Sequence, residues 1–190
     1  MTTTICIVRH GETDWNAAKR VQGREDIELN ENGRRQASGL ASRLEGMHWD
    51  VIISSPLKRA AETAQIIRQT IKAGSIIVNE KFIERDFGKA SGMTYGQWKD
   101  AFPDQHIPGR EVDDELEKRV YEGLAEVVEK YTGRKIVLVT HGAVINSLLK
   151  TISEGLINIG ETNIKNACIN LIEHDGKSYR VKLYNSLEIF

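Results

Sequence analysis

The chain is poor in the features that would place it in several broad protein classes. Only two cysteines occur in 190 residues, Cys6 and Cys168, each inside an apolar strand-like segment. A disulfide framework is therefore excluded, and two buried, reduced thiols are expected. No positively charged segment followed by an apolar stretch opens the chain, and no apolar run approaches the roughly 20 residues of a membrane span. The formal net charge is −1. No global field draws in nucleic acid or an anionic membrane, so any affinity for phosphate has to be local. Internal repeats, low-complexity tracts and linkers are missing as well. These absences point to a cytoplasmic protein with neither a membrane nor a nucleic acid as partner.

What is present is an ordinary globular composition, 40% apolar and 28% charged, in a chain long enough for one substantial core and too short for two. A single domain over residues 1–190 is expected, with helical and strand-like patterns alternating along it. Strands are read at Thr4–Arg9, Val51–Ile53, Ser75–Val78, Ile136–Val139, Ala167–Glu173 and Tyr179–Tyr184, the last two flanking an Asp175-Gly176 turn. One helix begins around Gly33, with Ala37, Leu40, Ala41 and Leu44 at the helical period and Gly46 as its C-terminal cap. Ser55-Pro56 reads as N-cap and first residue of the next, which ends near Gly74. Val112 to Tyr131 marks a long amphipathic helix, and Val144 to Ile152 another. Between Phe82 and Glu111 the periodicity fades into a short strand, a short helix near Tyr95–Phe102, and loop. Such an excursion is expected to cover a site. The fold class that follows is α/β: three layers, a mainly parallel sheet between helices, and a C-terminal antiparallel hairpin.

Two strand-to-helix junctions carry the chemistry. Ile5-Cys6-Ile7-Val8 gives way to Arg9-His10-Gly11, and Ile136 to Thr140 gives way to His141-Gly142. Ligands of parallel α/β sheets sit beyond the carboxyl ends of the strands, so both histidines can face one ligand. Gly11 allows a sharp turn and close backbone approach, and Glu12-Thr13-Asp14-Trp15-Asn16 continues polar, as a site wall would. Arg59 falls in the first turn of its helix, where free amides and the dipole favour anions. It suits a bidentate clamp on phosphate oxygens; a salt bridge to Glu62 or Glu84 is the plain alternative. Two arginines and two histidines at one site repel each other unless the ligand is a dianion. A leaving oxygen also needs an acid, and Glu84 and Asp86 both qualify, since alternation along a strand puts them on one face.

Five segments in order resemble the histidine phosphatase superfamily, in its phosphoglycerate-mutase-like branch. They are Arg9 to Asn16, Leu29 to Ala37, Ser54 to Ala64, Glu84 with Phe87-Gly88, and Thr140-His141-Gly142. The resemblance runs from the first strand to about Leu149. It implies His10 as the nucleophile that takes up the phosphoryl group, with Arg9, Arg59 and His141 holding the non-bridging oxygens. Glu84 would protonate the leaving oxygen and then activate water. Asn16, Gln22-Gly23, Gly11 and Gly142 would approach the phosphate. No metal and no other cofactor is implied, because the arginines supply the positive charge. The partner would be a small phosphorylated metabolite.

Phosphatase is favoured over mutase on two features of the resemblance. The stretch from Glu84 to His141 is short, with Lys89, Tyr95, Lys99 and Arg110 its candidates for gripping a phosphoglycerate, and Gln22 stands where mutases usually carry threonine. Tyr95, Trp98, Lys99 and Arg110, with Phe102, are the candidate cover over the substrate. Lys89-Ala90-Ser91-Gly92 departs from the Asp-Trp-Glu-Gly common in related phosphatases, which alters that cover. A two-histidine, one-carboxylate iron site at His10, His141 and Glu84 is a different reading, disfavoured because Arg9 and Arg59 would repel a cation. A phosphate-binding protein without catalysis is a third. His48, His106 and His174 are expected on the surface, Trp49 in packing, Trp15 and Trp98 at the site mouth, and Asp113-Asp114-Glu115 as helix-opening acids.

Overall fold

The computed structural model describes residues 1–104, 106–160 and 162–188. Its elements run β1 (Thr3–Arg9), α1 (Asp14–Ala17), α2 (Glu31–Leu44), β2 (Val51–Ser54), α3 (Lys58–Ile71) and β3 (Ile76–Val78). They continue with α4 (Tyr95–Ala101), α5 (Asp113–Lys130), β4 (Lys135–Thr140), α6 (Gly142–Ile152), β5 (Ile169–His174) and β6 (Tyr179–Ser186). The strands form one six-stranded sheet in the order β3-β2-β4-β1-β5-β6. β1 to β4 are mutually parallel, while β5 and β6 join antiparallel at one side. The expected three-layer α/β architecture, with its C-terminal hairpin, is what forms.

Side chains alternate across a strand, so a sheet covered on both faces needs apolar residues at every position. The parallel strands supply them. Ile5, Ile7, Ile53, Ile136 and Leu138 pack on one face with Leu116, Leu124, Ile145 and Leu148 of α5 and α6. Cys6, Val8, Ile52, Val137 and Val139 pack on the other with Leu40, Ala60 and Ile67 of α2 and α3. Cys6 and Cys168 are both buried and free. Burial pushes the Cys6 thiol up to about 12, which leaves it inert as a nucleophile.

Several element limits differ from the sequence reading, each for a local reason. α2 starts at Glu31, two residues early, because Asn30 caps it by accepting the Gly33 amide at 2.8 Å. It stops at Leu44, with Glu45 extended, so Gly46 lies beyond the cap position. α3 starts at Lys58, not at Pro56, and Leu57 gives it no side-chain cap. Its first amide is satisfied from elsewhere: Asp26 Oδ1 accepts from Lys58 N at 2.7 Å. No strand forms between Phe82 and Phe87. A 3-10 turn at Glu80–Phe82 and another at Gly88–Ala90 frame an extended stretch, and Phe87 makes only an isolated bridge to Arg110. That bridge, with Glu111 N donating to the Asp86 carbonyl at 2.8 Å, closes the base of the 82–111 excursion. His174 is half-buried rather than solvated, its ring 4.5 Å from that of Tyr179.

Candidate active site

The parallel register brings the two histidines together. Arg9 pairs with Thr140 at the ends of β1 and β4, so His10 and His141 each stand one residue beyond the sheet. The His10 amide donates to the Thr140 carbonyl at 3.0 Å, and the two rings lie 5.2 Å apart. His10 is 2% exposed and His141 wholly buried.

His10 is held by both ring nitrogens. Nδ1 lies 2.7 Å from the Gly11 carbonyl, and Arg59 Nε donates to Nε2 at 3.3 Å. An arginine donor requires a lone pair, so Nε2 is unprotonated and Nδ1–H donates to Gly11. Gly11 itself sits where a side chain cannot: a Cβ there would lie 2.3 Å from the Gly33 carbonyl oxygen. The turn after β1 is thereby pressed against the first turn of α2, and the Gly11 amide donates to Thr63 Oγ1 of α3 at 3.1 Å.

Arg59, 1% exposed, projects from the first turn of α3. Its Nη2 donates to the Gly23 carbonyl at 2.8 Å and its Nη1 to the Glu25 carbonyl at 2.6 Å. Neither Glu62 nor Glu84 bonds it; Glu62 pairs with Arg34 at 2.6 Å. One guanidinium therefore ties the Gln22–Asp26 loop to His10. Arg9 donates Nη1 to the Ile164 carbonyl, and its Nε is buried with no partner among the described residues.

The fold places the two carboxylates differently. Glu84 is 8% exposed and lines the pocket; its oxygens accept from Arg85 N at 2.9 Å and from Ala143 N, at the start of α6, at 3.4 Å. Asp86 turns outward to the Gly88 amide and Arg24. Without a regular strand there, alternation does not put the two on one face.

Around this cluster is a cavity of about 40 Å³, lined by Arg9, His10, Asn16, Arg20, Gln22, Gly23, Arg59, Glu84, Tyr95 and Gly142 among others. It suits little more than a phosphoryl group. A second cavity, of about 610 Å³, shares Tyr95 and is lined by Trp98, Lys99, Phe102, Pro103 and Thr162. Trp98 packs edge-on to Phe87 with ring centroids 5.8 Å apart. Trp15 does not line the cavity; it packs on Gly92. Arg110, expected in the cover, lies outside both and points to Asp113 at 3.3 Å. Asp113 also takes Arg85, so the acid opening α5 serves an ion-pair cluster as well as the helix end. In the Lys89–Gly92 departure, Ala90 is buried and the Gly92 carbonyl accepts from Arg20 Nη1 at 2.6 Å.

Burial first, then Arg59 and Arg9, drive the His10 pKa well below its ordinary value. His141 falls well below for the same reason, burial first and then Arg59. Burial also lowers Arg59, to about 10, against the opposing pull of Glu84. Both histidines are neutral at pH 7, and among the cavity's lining residues Glu84 is the carboxylate set against Arg9 and Arg59. Among the described residues no group of three or more His, Cys, Asp or Glu could hold a metal ion.

Four residues of this arrangement were not singled out as site residues by their sequence: Arg20, Thr63, Asn166 and Ser55. Asn166 donates to the His10 carbonyl at 3.1 Å and to Asn16 Oδ1 at 3.3 Å. Its position more than 150 residues along the chain gave no signal. Ser55 carried one, but it pointed to a helix cap.

The profile of the histidine phosphatase superfamily (branch 1) matches residues 5–187. The chain belongs to that family. It is 42% identical over 183 residues to the uncharacterized phosphatase PhoE of Bacillus subtilis, covering 96% of this chain and 94% of PhoE. It is 34% identical to phosphoglycerate mutase-like protein 4 of Arabidopsis thaliana, covering 96% of this chain and 85% of the relative. A crystal structure of an Entamoeba histolytica phosphoserine phosphatase mutant, in complex with phosphoserine, superposes with a TM-score of 0.82 at 27% identity, over 97% and 98% of the two chains. The phosphohistidine route is general to this family. Among the described residues no helix is long and apolar enough to cross a membrane.

Proposed function

We propose that this enzyme hydrolyses small phosphomonoesters through a phosphohistidine on His10, with Glu84 as general acid and base. The observation that carries the reading is the pair of contacts on His10: its Nδ1 proton is held by Gly11 and its Nε2 lone pair faces Arg59. The nucleophilic nitrogen is thus unprotonated and already among the groups that bind the phosphate.

Nε2 attacks phosphorus as the ester P–O bond breaks, and Glu84 gives its proton to the departing oxygen. Glu84, now a carboxylate, takes a proton from water, whose oxygen displaces His10 and releases inorganic phosphate. Arg9, Arg59 and His141 hold the non-bridging oxygens, assisted by Asn16, Gln22 and the backbone at Gly23 and Gly142. Such transfer depends on positioning and charge compensation, which two arginines supply here without a metal. The leaving group lies against Tyr95 and Trp98, with Lys99 beside them and Arg110 withdrawn to Asp113. That withdrawal removes one of four cover groups available to grip a phosphoglycerate, which favours hydrolysis over mutase-type transfer. The enzyme acts in the cytoplasm, which its two free thiols suit.

Turnover of p-nitrophenyl phosphate in the presence of a chelator tests the reading, comparing the wild type with His10→Ala. Metal-independent turnover and a loss of about a hundredfold or more on substitution are expected. Equal turnover by the variant would sink it.

A further inference from the structure

Ser55 has no role in the steps above, yet it is bound to one of their participants. β2 ends at Ser54, whose register partner on β4 is Val139. The Ser55 amide continues the ladder, donating to the Val139 carbonyl at 3.0 Å. This puts Ser55 beside His141, and both are wholly buried. Ser55 Oγ lies 2.7 Å from His141 Nε2 and accepts the Leu57 amide at 3.4 Å.

A neutral imidazole has one ring proton, and the two tautomers fare differently here. With the proton on Nε2, the ring would donate to Ser55 Oγ. The hydroxyl proton would then have no acceptor among the described residues, and a buried unmade bond costs about 1–3 kcal/mol. With Ser55 donating to Nε2, the hydroxyl and Nε2 are both satisfied, and the ring proton lies on Nδ1, where its partner has to be a bound anion. Nδ1 is the ring atom of His141 with no partner among the described residues, and its ring stands 5.2 Å from that of the nucleophile.

We propose that Ser55 is a positioning residue for His141: its hydroxyl donates to Nε2 and fixes the tautomer whose Nδ1–H donates to the transferring phosphoryl group. The tautomer rests on the Ser55 geometry alone, and its use in transfer rests on the function proposed above. The choice matters because burial and the neighbouring arginines keep the ring neutral. A charged ring would carry both protons and need no such selection. The opposite neutral tautomer would turn a lone pair toward a dianion.

Nitrogen NMR of protein labelled in its histidine rings, read at neutral pH and assigned with His141→Asn, tests the tautomer. Wild type is expected to show His141 protonated at Nδ1 and bare at Nε2. In Ser55→Ala the proton shifts toward Nε2, and kcat for p-nitrophenyl phosphate falls by about two- to tenfold, the worth of one neutral hydrogen bond, with KM held within about twofold. Ser55→Thr keeps the hydroxyl and restores both. The His10 ring, still protonated at Nδ1 against Gly11, shows in each variant that the site is folded. His141 protonated at Nε2 in the wild type overturns the proposal, and so does Ser55→Ala with tautomer and kcat unchanged. If Ser55→Ala fails to fold, the wild-type and Ser55→Thr spectra decide. An Nδ1–H tautomer in a protein with no turnover would support the Ser55 contact while counting against the phosphatase reading.

Discussion

Arg59 Nε donates to His10 Nε2 at 3.3 Å, so the proposed clamp for the phosphate and the proposed nucleophile are in direct contact. The same guanidinium holds the Gly23 and Glu25 carbonyls, which fixes it in place whichever group its Nε serves. Lysine has no fork of donors and cannot reproduce this. Arg59→Lys is therefore expected to lower kcat/KM for p-nitrophenyl phosphate by about a hundredfold, the scale set by loss of one preorganised donor to a developing charge. A loss below about fivefold would show that Arg59 is not part of the transfer machinery.

The two buried histidines make stability depend on pH with a definite sign. Their pKa values are lowered on folding, so below about pH 6.5 the unfolded chain binds protons that the folded chain refuses. Stability is full above that pH and is lost as pH falls through the window beneath it, by up to ~1.4 kcal/mol per pH unit for each histidine. Urea denaturation at a series of pH values reads this slope. His141→Asn should reduce it, and a slope that is flat between neutrality and the carboxylate range would contradict the burial of neutral rings.

Three glycines separate backbone contact from backbone freedom. A Cβ at Gly33 would meet the Glu12 carbonyl oxygen at 2.0 Å, and one at Gly11 the Gly33 oxygen at 2.3 Å, whereas at Gly39 of α2 nothing lies within 4 Å. Gly11→Ala and Gly33→Ala should each destabilise by about 1–3 kcal/mol, as overpacking does, and Gly11→Ala should also impair turnover by moving the carbonyl that holds His10. Gly39→Ala should stabilise by about 0.5–1 kcal/mol. Thermal melts of the three variants would distinguish them, and a stabilised Gly33→Ala would refute the tight contact.

The two cavities predict which cover residues meet a leaving group. Trp98→Ala should raise KM for an aryl phosphate by about two- to tenfold, the worth of an aromatic contact. Arg110→Ala, whose side chain is turned to Asp113, should leave KM within about twofold. The reverse order would place the substrate on the Arg110 side.

The sheet and the convergence of the two histidines and two arginines were legible because short linear motifs sit at strand ends, and a parallel register turns strand ends into neighbours. Arg9, His10, Arg59 and His141 follow from that alone. Strand alternation alone left Glu84 and Asp86 level, and the family resemblance favoured Glu84; the structure puts Glu84 in the cavity lining and turns Asp86 outward, because the backbone there is not a regular strand. Ser55 read as a helix cap because serine before proline usually is one; its hydroxyl does accept the Leu57 amide but also reaches His141, and Asp26 accepts the first amide of α3. Arg110, read as a cover group, lies outside the lining of both cavities and 3.3 Å from Asp113, a contact that its spacing in the sequence did not signal. Asn166 gave no signal at all. Its partners, the His10 carbonyl and Asn16 of α1, lie at the other end of the chain.

The central claim is the covalent intermediate on His10, and trapping it is the most direct test. Glu84→Gln keeps the shape of the acid but removes the base that activates water, while p-nitrophenol needs little help to leave. Quenching this variant during turnover and mapping bound phosphate by mass spectrometry should show an acid-labile, alkali-stable phosphoryl group on His10, absent from the Glu84→Gln/His10→Ala double variant. Release of p-nitrophenol with no phosphorylated protein, or with phosphate on another residue, would contradict the account.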